Sequence, residues 1–344
     1  RSLCLHDPVW YDHMPYLPFP DHWPVFSPKD KIGDWLEMYA KVMEIDYWGS
    51  TECLGARYDE DAGSWEVTVD RAGEEVRLRP VHLILATGMS GVPNVPDIPG
   101  AARFSGRLCH SSAHTGGEEY AGKRCVVIGS NNSAHDICAD LYEWGAHVTM
   151  VQRSPSIVVR SESLMEHAWG PLYSEAAVRA GITTDIADLR VASVPFKLMP
   201  EWQRPVYEKI RRQDAAFYDA LEAAGFQYHL GEDGAGIHAT YLRRGAGYYI
   251  DVGASQLIID GAIALEHAAS VASINERSLT LDNGKEIPAD LIVLATGYGP
   301  MNDWAAMLIS EEVAHRVGRC WGLGSDTRYD PGPWEGELRN MWKP

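Results

Sequence analysis

A chain of 344 residues, 45% of them hydrophobic, is long enough for about two domains with sizeable cores. Its 48 acidic against 30 basic residues leave a formal charge of −18, which argues against a nucleic-acid-binding surface. Six scattered cysteines (Cys4, Cys53, Cys109, Cys125, Cys138, Cys320) form no Cys-x-x-Cys pair, no apolar run reaches the length of a membrane span and no signal pattern opens the chain. It reads as a soluble protein of a reducing cytoplasm. Arg1 is not an initiator methionine and Trp342-Lys343-Pro344 stops in mid-loop, so a fragment of a longer polypeptide is expected.

The first 27 residues are rich in proline and aromatics, as in Met14-Pro15-Tyr16-Leu17-Pro18-Phe19-Pro20, which excludes an ordinary helix and leaves an extended arm. Ser27-Pro28-Lys29-Asp30 then starts a helix, capped by Ser27, with Ile32, Trp35, Leu36, Tyr39 and Val42 on its apolar face. From Asp46 to Val81 the pattern changes to strands, with alternation from Trp65 to Val69 and a hairpin turn at Gly73. Leu83-Ile84-Leu85 reads as a buried strand ending in Ala86-Thr87-Gly88, and Pro93, Pro96 and Pro99 make a stiff connector after it.

Cys125 to Ile128 is an apolar run short enough to be one buried parallel strand. A tight turn, Gly129-Ser130-Asn131-Asn132-Ser133-Ala134, leads into a helix with Ile137, Leu141 and Trp144 on one face and Gly145 as its stop. Val148 to Val151 is the next strand, completing a βαβ unit with a dinucleotide-type first turn. The backbone N–H groups at such a helix start are unpaired and partly positive, so a pyrophosphate fits there. Gly129 matches the first glycine of the fingerprint and Ala134 its small third residue, while Asn131 replaces the middle glycine and is a residue that tolerates positive φ. An α/β turn with no ligand is the alternative reading.

Downstream, Pro205 to Ala224 reads as a helix carrying Val206, Ile210, Phe217, Tyr218 and Leu221 and ending at Gly225. Tyr248 to Val252 and Gln256 to Ile259 read as strands, and Leu279 to Ile287 as a hairpin around Asn283-Gly284. Leu291 to Leu294 is a second buried strand ending in Ala295-Thr296-Gly297. Small residues at a strand's carboxyl end let the chain turn away beside a nucleotide, and two such ends are more specific than one.

Phe104-Ser105-Gly106-Arg107-Leu108-Cys109-His110, just before the nucleotide unit, resembles the identifying motif of the class B flavin-dependent monooxygenases, the flavin-containing monooxygenases with their YUCCA-type and Baeyer–Villiger relatives. Phe104, Gly106 and His110 fit it, and His114 departs from the aromatic ring of its last position. Leu3-Cys4-Leu5-His6 with Pro18-Phe19-Pro20, the two Ala-Thr-Gly ends and Val151-Gln152-Arg153-Ser154-Pro155 also match. The resemblance implies an α/β protein with two dinucleotide-binding, Rossmann-like domains, an NADPH domain inserted in an FAD domain that is incomplete here. The FAD part would span 1–115 and 289–344 and the NADPH part 116–288. The first Gly-x-Gly-x-x-Gly fingerprint would lie before Arg1.

By matching position, Gly129 to Ala134 cradle the NADPH pyrophosphate, and Arg153 with Ser154 meets the 2′-phosphate. A guanidinium offers phosphate a planar donor fork, whereas an acid at that strand end favours NAD; a surface arginine is the plain alternative. Thr87-Gly88 and Thr296-Gly297 are implied to be cofactor-facing turns, Phe104, Gly106 and His110 to lie beside bound NADP⁺, and His6 to be the polar residue near the chemistry. His110 and His114 have a spacing that suits a metal on a helix, but no third ligand is evident, so no metal is expected. The implied activity is NADPH- and FAD-dependent monooxygenation of a small organic substrate by O₂ through a C4a-hydroperoxyflavin. No nucleic-acid or membrane-spanning partner is expected, and assembly into a homo-oligomer stays open. A flavoprotein pyridine-nucleotide reductase, which would need paired redox cysteines, and a non-catalytic NADPH-binding module are the alternatives. Neither a Gly-x-Ser-x-Gly elbow nor a Walker-type Gly-Lys-Ser/Thr is present.

Overall fold

The computed structural model describes residues 3–318 apart from Met89, Phe196, Lys197 and Glu232. The expectations placed on Arg1, Cys320 and residues 319–344 therefore lie outside the described residues. The chain forms two compact units, one built from 29–92, 242–245 and 298 onward, the other from 1–28, 93–241 and 246–297. No helix among the described residues is long and apolar enough to cross a membrane.

In the first of these units, helix α1 (Lys29–Val42) buries Tyr39 and leaves Leu36 and Val42 exposed, so its apolar stripe is only partly covered. Ser27 does not cap it: among the described residues its hydroxyl makes no hydrogen bond, and its carbonyl accepts the Leu5 N–H at 2.9 Å. Strands β1 (Thr51–Asp59), β2 (Ser64–Arg71) and β3 (Glu74–Leu78) form an antiparallel meander with Val67 and Val69 inward. Ala72 (φ 55°) and Gly73 (φ 90°) make the two-residue left-handed turn expected between β2 and β3. The buried strand expected at Leu83–Leu85 is not formed. Among the described residues nothing pairs with it, and Ile84 is 81% exposed. An apolar run becomes a strand only when a neighbour takes its backbone hydrogen bonds.

The other unit is organised by a five-stranded parallel sheet. It is built from β4 (Arg107–His110), β5 (Arg124–Ile128), β6 (His147–Gln152), β10 (Ala264–His267) and β14 (Leu291–Leu294), in the order β10-β6-β5-β14-β4. Helix α2 (Asn132–Glu143) crosses from β5 to β6 and stops at Gly145, φ 84°. Both sheet faces are covered, which is why β5 and β14 read as unbroken apolar runs. Cys125, Val127, Leu291 and Val293 meet Ala134, Cys138 and Leu141 of α2 on one face. Val126, Ile292 and Leu294 meet Leu279, Leu281 and Ile287 on the other. Those last residues come from the meander of β11 (Val271–Ile274), β12 (Ser278–Leu281) and β13 (Glu286–Pro288), whose turn carries Gly284 at φ 85° as expected. The sheet takes β4 from before residue 116 and β14 from after residue 288.

A smaller parallel sheet, β8-β7-β9 (Tyr228–His229, Ser156–Arg160, Tyr248–Asp251), continues the unit. The helix expected over Pro205–Ala224 is two, Met199–Gln213 and Ala215–Ala223, broken at Asp214, and Pro205 sits inside the first. The strand expected at Gln256–Ile259 is a helix, Ala254–Ile259. The Asp251 carboxylate accepts the N–H groups of Gly253 and Ser255 at 3.1 Å each, a cap that turns the chain helical before the apolar run begins.

Candidate nucleotide site at the carboxyl ends of the parallel strands

The turn after β5 is held from both sides. Gly129 donates its N–H to Val151 of β6 at 2.9 Å, and Ala295, just past β14, donates to Ile128 at 2.9 Å. Gly129 has φ +136°, and a Cβ there would stand 2.3 Å from the Ala295 carbonyl oxygen, so only glycine fits. Asn131 does not use the left-handed region it tolerates: φ is −103°, ordinary extended backbone. Its carbonyl accepts both the backbone N–H of His135, at 3.0 Å, and the His135 ring Nδ1, at 3.1 Å. The Asn131 side chain does not cap α2, and among the described residues its first-turn N–H groups are left for an anion. Ala134 is fully buried against the sheet, the close helix–strand packing a small third residue permits.

Two of the four polar side chains of the turn, Ser130 and Asn132, are engaged within the protein. Ser130 Oγ lies 2.8 Å from Ser156 Oγ in a buried pair, and the Asn132 amide oxygen accepts the Ile250 N–H at 3.2 Å. The Ser130–Ser156 pair also fastens the β6–β7 loop, Arg153-Ser154-Pro155, beside the turn. Arg153, Ser154 and Ser133 are exposed, and among the described residues Arg153 has no hydrogen-bond or ion-pair partner.

After β14, the Thr296 hydroxyl donates to the Asn94 carbonyl at 2.5 Å, and the Gly297 carbonyl accepts the Asn94 N–H at 2.9 Å and His110 Nε2 at 3.0 Å. His110 Nδ1 accepts the Ser112 N–H at 3.2 Å, so the ring proton sits on Nε2 and the imidazole is a neutral donor to Gly297. This bond joins the carboxyl ends of β4 and β14. Gly129, His110, Thr296 and Gly297 are thus brought to one edge of one sheet.

Phe104 and Gly106 precede β4 and therefore lie at the sheet's amino edge, the full length of that strand from His110. Phe104 packs on the core, and a Cβ on Gly106 would stand 2.3 Å from the Asp290 carbonyl oxygen, so both serve packing here. His114 shares none of the His110 partners named above. Its side chain is 6% exposed, with Nε2 at 3.9 Å from Asp140 Oδ2 and the ring tilted against Tyr120 at 6.3 Å. Burial pushes its pKa down, against the opposing pull of the Asp140 carboxylate. His6 is half-exposed, 3.7 Å from the Asp7 carboxylate and edge-on to Tyr248 at 6.5 Å, the strand neighbour of Asn132's partner Ile250. Thr87 and Gly88 belong to the other compact unit, where they are exposed.

Three residues at this edge escaped sequence reasoning. Asn94 and Ser156 act through long-range contacts with no local signature. His135 stands four residues after Asn131, and that helical spacing was the available signal.

A family model for flavin-binding monooxygenase-like (FMO-like) proteins matches residues 11–175. Indole-3-pyruvate monooxygenase YUCCA1 of Oryza sativa subsp. japonica is 29% identical over 296 residues, 86% of this chain and 65% of that protein. Probable indole-3-pyruvate monooxygenase YUCCA9 of Arabidopsis thaliana is 28% identical over 298 residues, 86% of this chain and 64% of its own length. The chain thus spans just under two thirds of these relatives. Cyclohexanone monooxygenase from Rhodococcus sp. Phi1 bound to NADP⁺ shares the fold, with a TM-score of 0.63 and 17% identity over 92% of this chain and 66% of that structure. With the glycine turn, the strand-end Ala-Thr-Gly and His110 joined in one sheet edge, the chain is similar to the flavin-binding monooxygenase-like (FMO-like) proteins.

Proposed function

We propose that this chain carries the NADPH site, and part of the FAD domain, of an NADPH- and FAD-dependent monooxygenase that transfers one atom of O₂ to a small organic substrate. One observation carries the reading: a glycine-only turn, an uncapped helix start and an unpaired arginine meet at the carboxyl edge of a parallel sheet, where such sheets hold nucleotides. The cradle fits the group, because a Cβ at Gly129 is excluded by backbone and, among the described residues, the first-turn N–H groups of α2 have no side-chain cap. When bound, NADPH supplies a hydride and FAD the oxygen-activating chemistry.

The protein's own contribution is binding and orientation. Backbone N–H groups of α2 and Ser133 hold the pyrophosphate, Arg153 selects the 2′-phosphate, and His110 fixes the Gly297 carbonyl so that the Thr296-Gly297 turn keeps its shape against the cofactor. His6 is the hydrogen-bonding side chain assigned to the reacting end, and Thr87-Gly88 to the flavin side. Reduced cysteines at positions 4, 53, 109, 125 and 138 agree with a cytoplasmic location. The absorption spectrum of the purified chain tests the proposal: flavin bands with NADPH oxidation are expected. A colourless chain that binds NADPH would make it a nucleotide-binding module, and one that binds neither would end the reading.

A further inference from the structure

The residue that replaces the middle glycine of the fingerprint is held by a side chain outside the fingerprint. His135 is fully buried, stacked flat on Tyr249 (centroids 3.9 Å apart, planes 6° apart) and leaning on Phe226 at 5.4 Å. Tyr249 is itself fixed, its hydroxyl accepting the Val252 N–H at 3.2 Å and the Ala254 N–H at 3.4 Å. The ring therefore cannot turn. Its Nδ1 faces the Asn131 carbonyl at 3.1 Å, and a carbonyl only accepts, so the proton resides on Nδ1. Nε2 makes no hydrogen bond among the described residues. Two donors from one residue, backbone and ring, thus converge on one carbonyl of the nucleotide turn.

Glycine at the middle position lets the backbone approach a pyrophosphate. Asparagine brings a side chain, whose buried Oδ1 has no hydrogen-bond partner among the described residues. With that side chain present, the turn keeps an open face for phosphate only if the Asn131–Asn132 peptide is fixed in one orientation. We propose that His135 is the positioning residue of this turn: its Nδ1–H holds the Asn131 carbonyl, so that the turn accepts a non-glycine middle residue and still presents its N–H groups to the NADPH pyrophosphate. This rests on the NADPH reading above.

The test combines titration calorimetry of NADPH with ¹⁵N NMR of the His135 ring in the same chain. His135→Phe keeps the aromatic stack and removes the donor; His135→Asn removes the stack and keeps a donor near the place of Nδ1. The positioning role predicts about a tenfold weaker NADPH affinity for His135→Phe and recovery to within about threefold for His135→Asn. In an Asn131→Gly background the His135→Phe loss shrinks, because the two sites are coupled. A packing role predicts the reverse order, phenylalanine binding better than asparagine. Wild-type affinity in His135→Phe, or asparagine no better than phenylalanine, overturns the proposal. The NMR arm separates it from the functional reading. An Nδ1–H tautomer in a wild-type chain that does not bind NADPH would refute the cofactor while leaving the carbonyl clamp in place; an Nε2–H tautomer would refute the clamp itself.

Discussion

Replacing Gly129 by alanine should be far more harmful than the same change at Gly145, although both glycines have positive φ. At Gly129 (φ +136°) the new Cβ would stand 2.3 Å from the Ala295 oxygen and 3.1 Å from that residue's carbonyl carbon and Cβ. Ordinary contact begins near 3.4 Å, so about 1 Å must open. The neighbour cannot yield freely, because Ala295 is bonded to Ile128 at 2.9 Å and ends the β5–β14 ladder. Backbone strain of about 1–3 kcal/mol and overpacking of about 1–3 kcal/mol together give roughly 2–6 kcal/mol, a large share of a domain's stability. Gly145 has φ +84° and nothing within 4 Å of its Cβ position, which leaves only the conformational cost of about 1–2 kcal/mol. Urea unfolding followed by circular dichroism measures the difference, with Gly129→Ala expected to have the lower midpoint at an unchanged slope. Equal midpoints for the two variants would refute the steric account of this turn.

Arg153→Ala should raise the Michaelis constant for NADPH much more than that for NADH, and equal changes would remove the phosphate role from Arg153. His110→Ala leaves the Gly297 carbonyl without its ring donor and should destabilise by about 1–3 kcal/mol in thermal unfolding, whereas a change below about 0.5 kcal/mol would mean the β4–β14 bond is dispensable. Complete burial lowers the His135 pKa from its ordinary 6.5 to about 4. The unfolded chain then binds a proton that the folded one refuses, so stability is full above about 6.5 and declines as pH falls towards 4, by roughly 3 kcal/mol from this group. His135→Phe should flatten the pH dependence of unfolding in that window, and an unaltered slope would contradict the buried neutral ring.

How much was legible from the sequence follows from how local each signal is. The βαβ unit around Gly129 could be read because strand, turn and helix stop lie within about thirty residues and each has its own chemistry. Leu83–Leu85 misled because apolar content records a wish to be buried, while a strand needs a partner elsewhere in the chain. Gln256–Ile259 misled because its helical start is imposed by Asp251, a cap placed before an apolar run too short for periodicity to show. Asn131 tolerates positive φ but does not use it, and its carbonyl faces a ring four residues on that residue preference does not reveal. Phe104 and Gly106 share a motif with His110, yet a four-residue strand separates them from it, and motif spacing does not reveal at which end of a strand each residue lies.

The fingerprint's side chains and the fingerprint's function separate at this edge. Ser130 is committed to Ser156, Asn132 to Ile250 and Thr296 to Asn94, which leaves backbone N–H groups, Ser133 and Arg153 to meet a nucleotide. Substitutions within the motif should therefore divide into two kinds. Ser130→Ala strands the Ser156 hydroxyl in a buried place, and Thr296→Val unfastens Asn94; each should lower the unfolding midpoint by an amount equivalent to about 1–3 kcal/mol. NADPH affinity, measured well below that midpoint, should change less than about threefold, since neither hydroxyl faces the ligand. Arg153→Ala should do the opposite, leaving the midpoint within about 0.5 kcal/mol of the parent while the preference for NADPH is lost. A Ser130→Ala variant that keeps its stability but loses NADPH would show that the hydroxyl leaves Ser156 for the phosphate, and would return the side chains of the turn to the binding role that the proposed function gives the backbone.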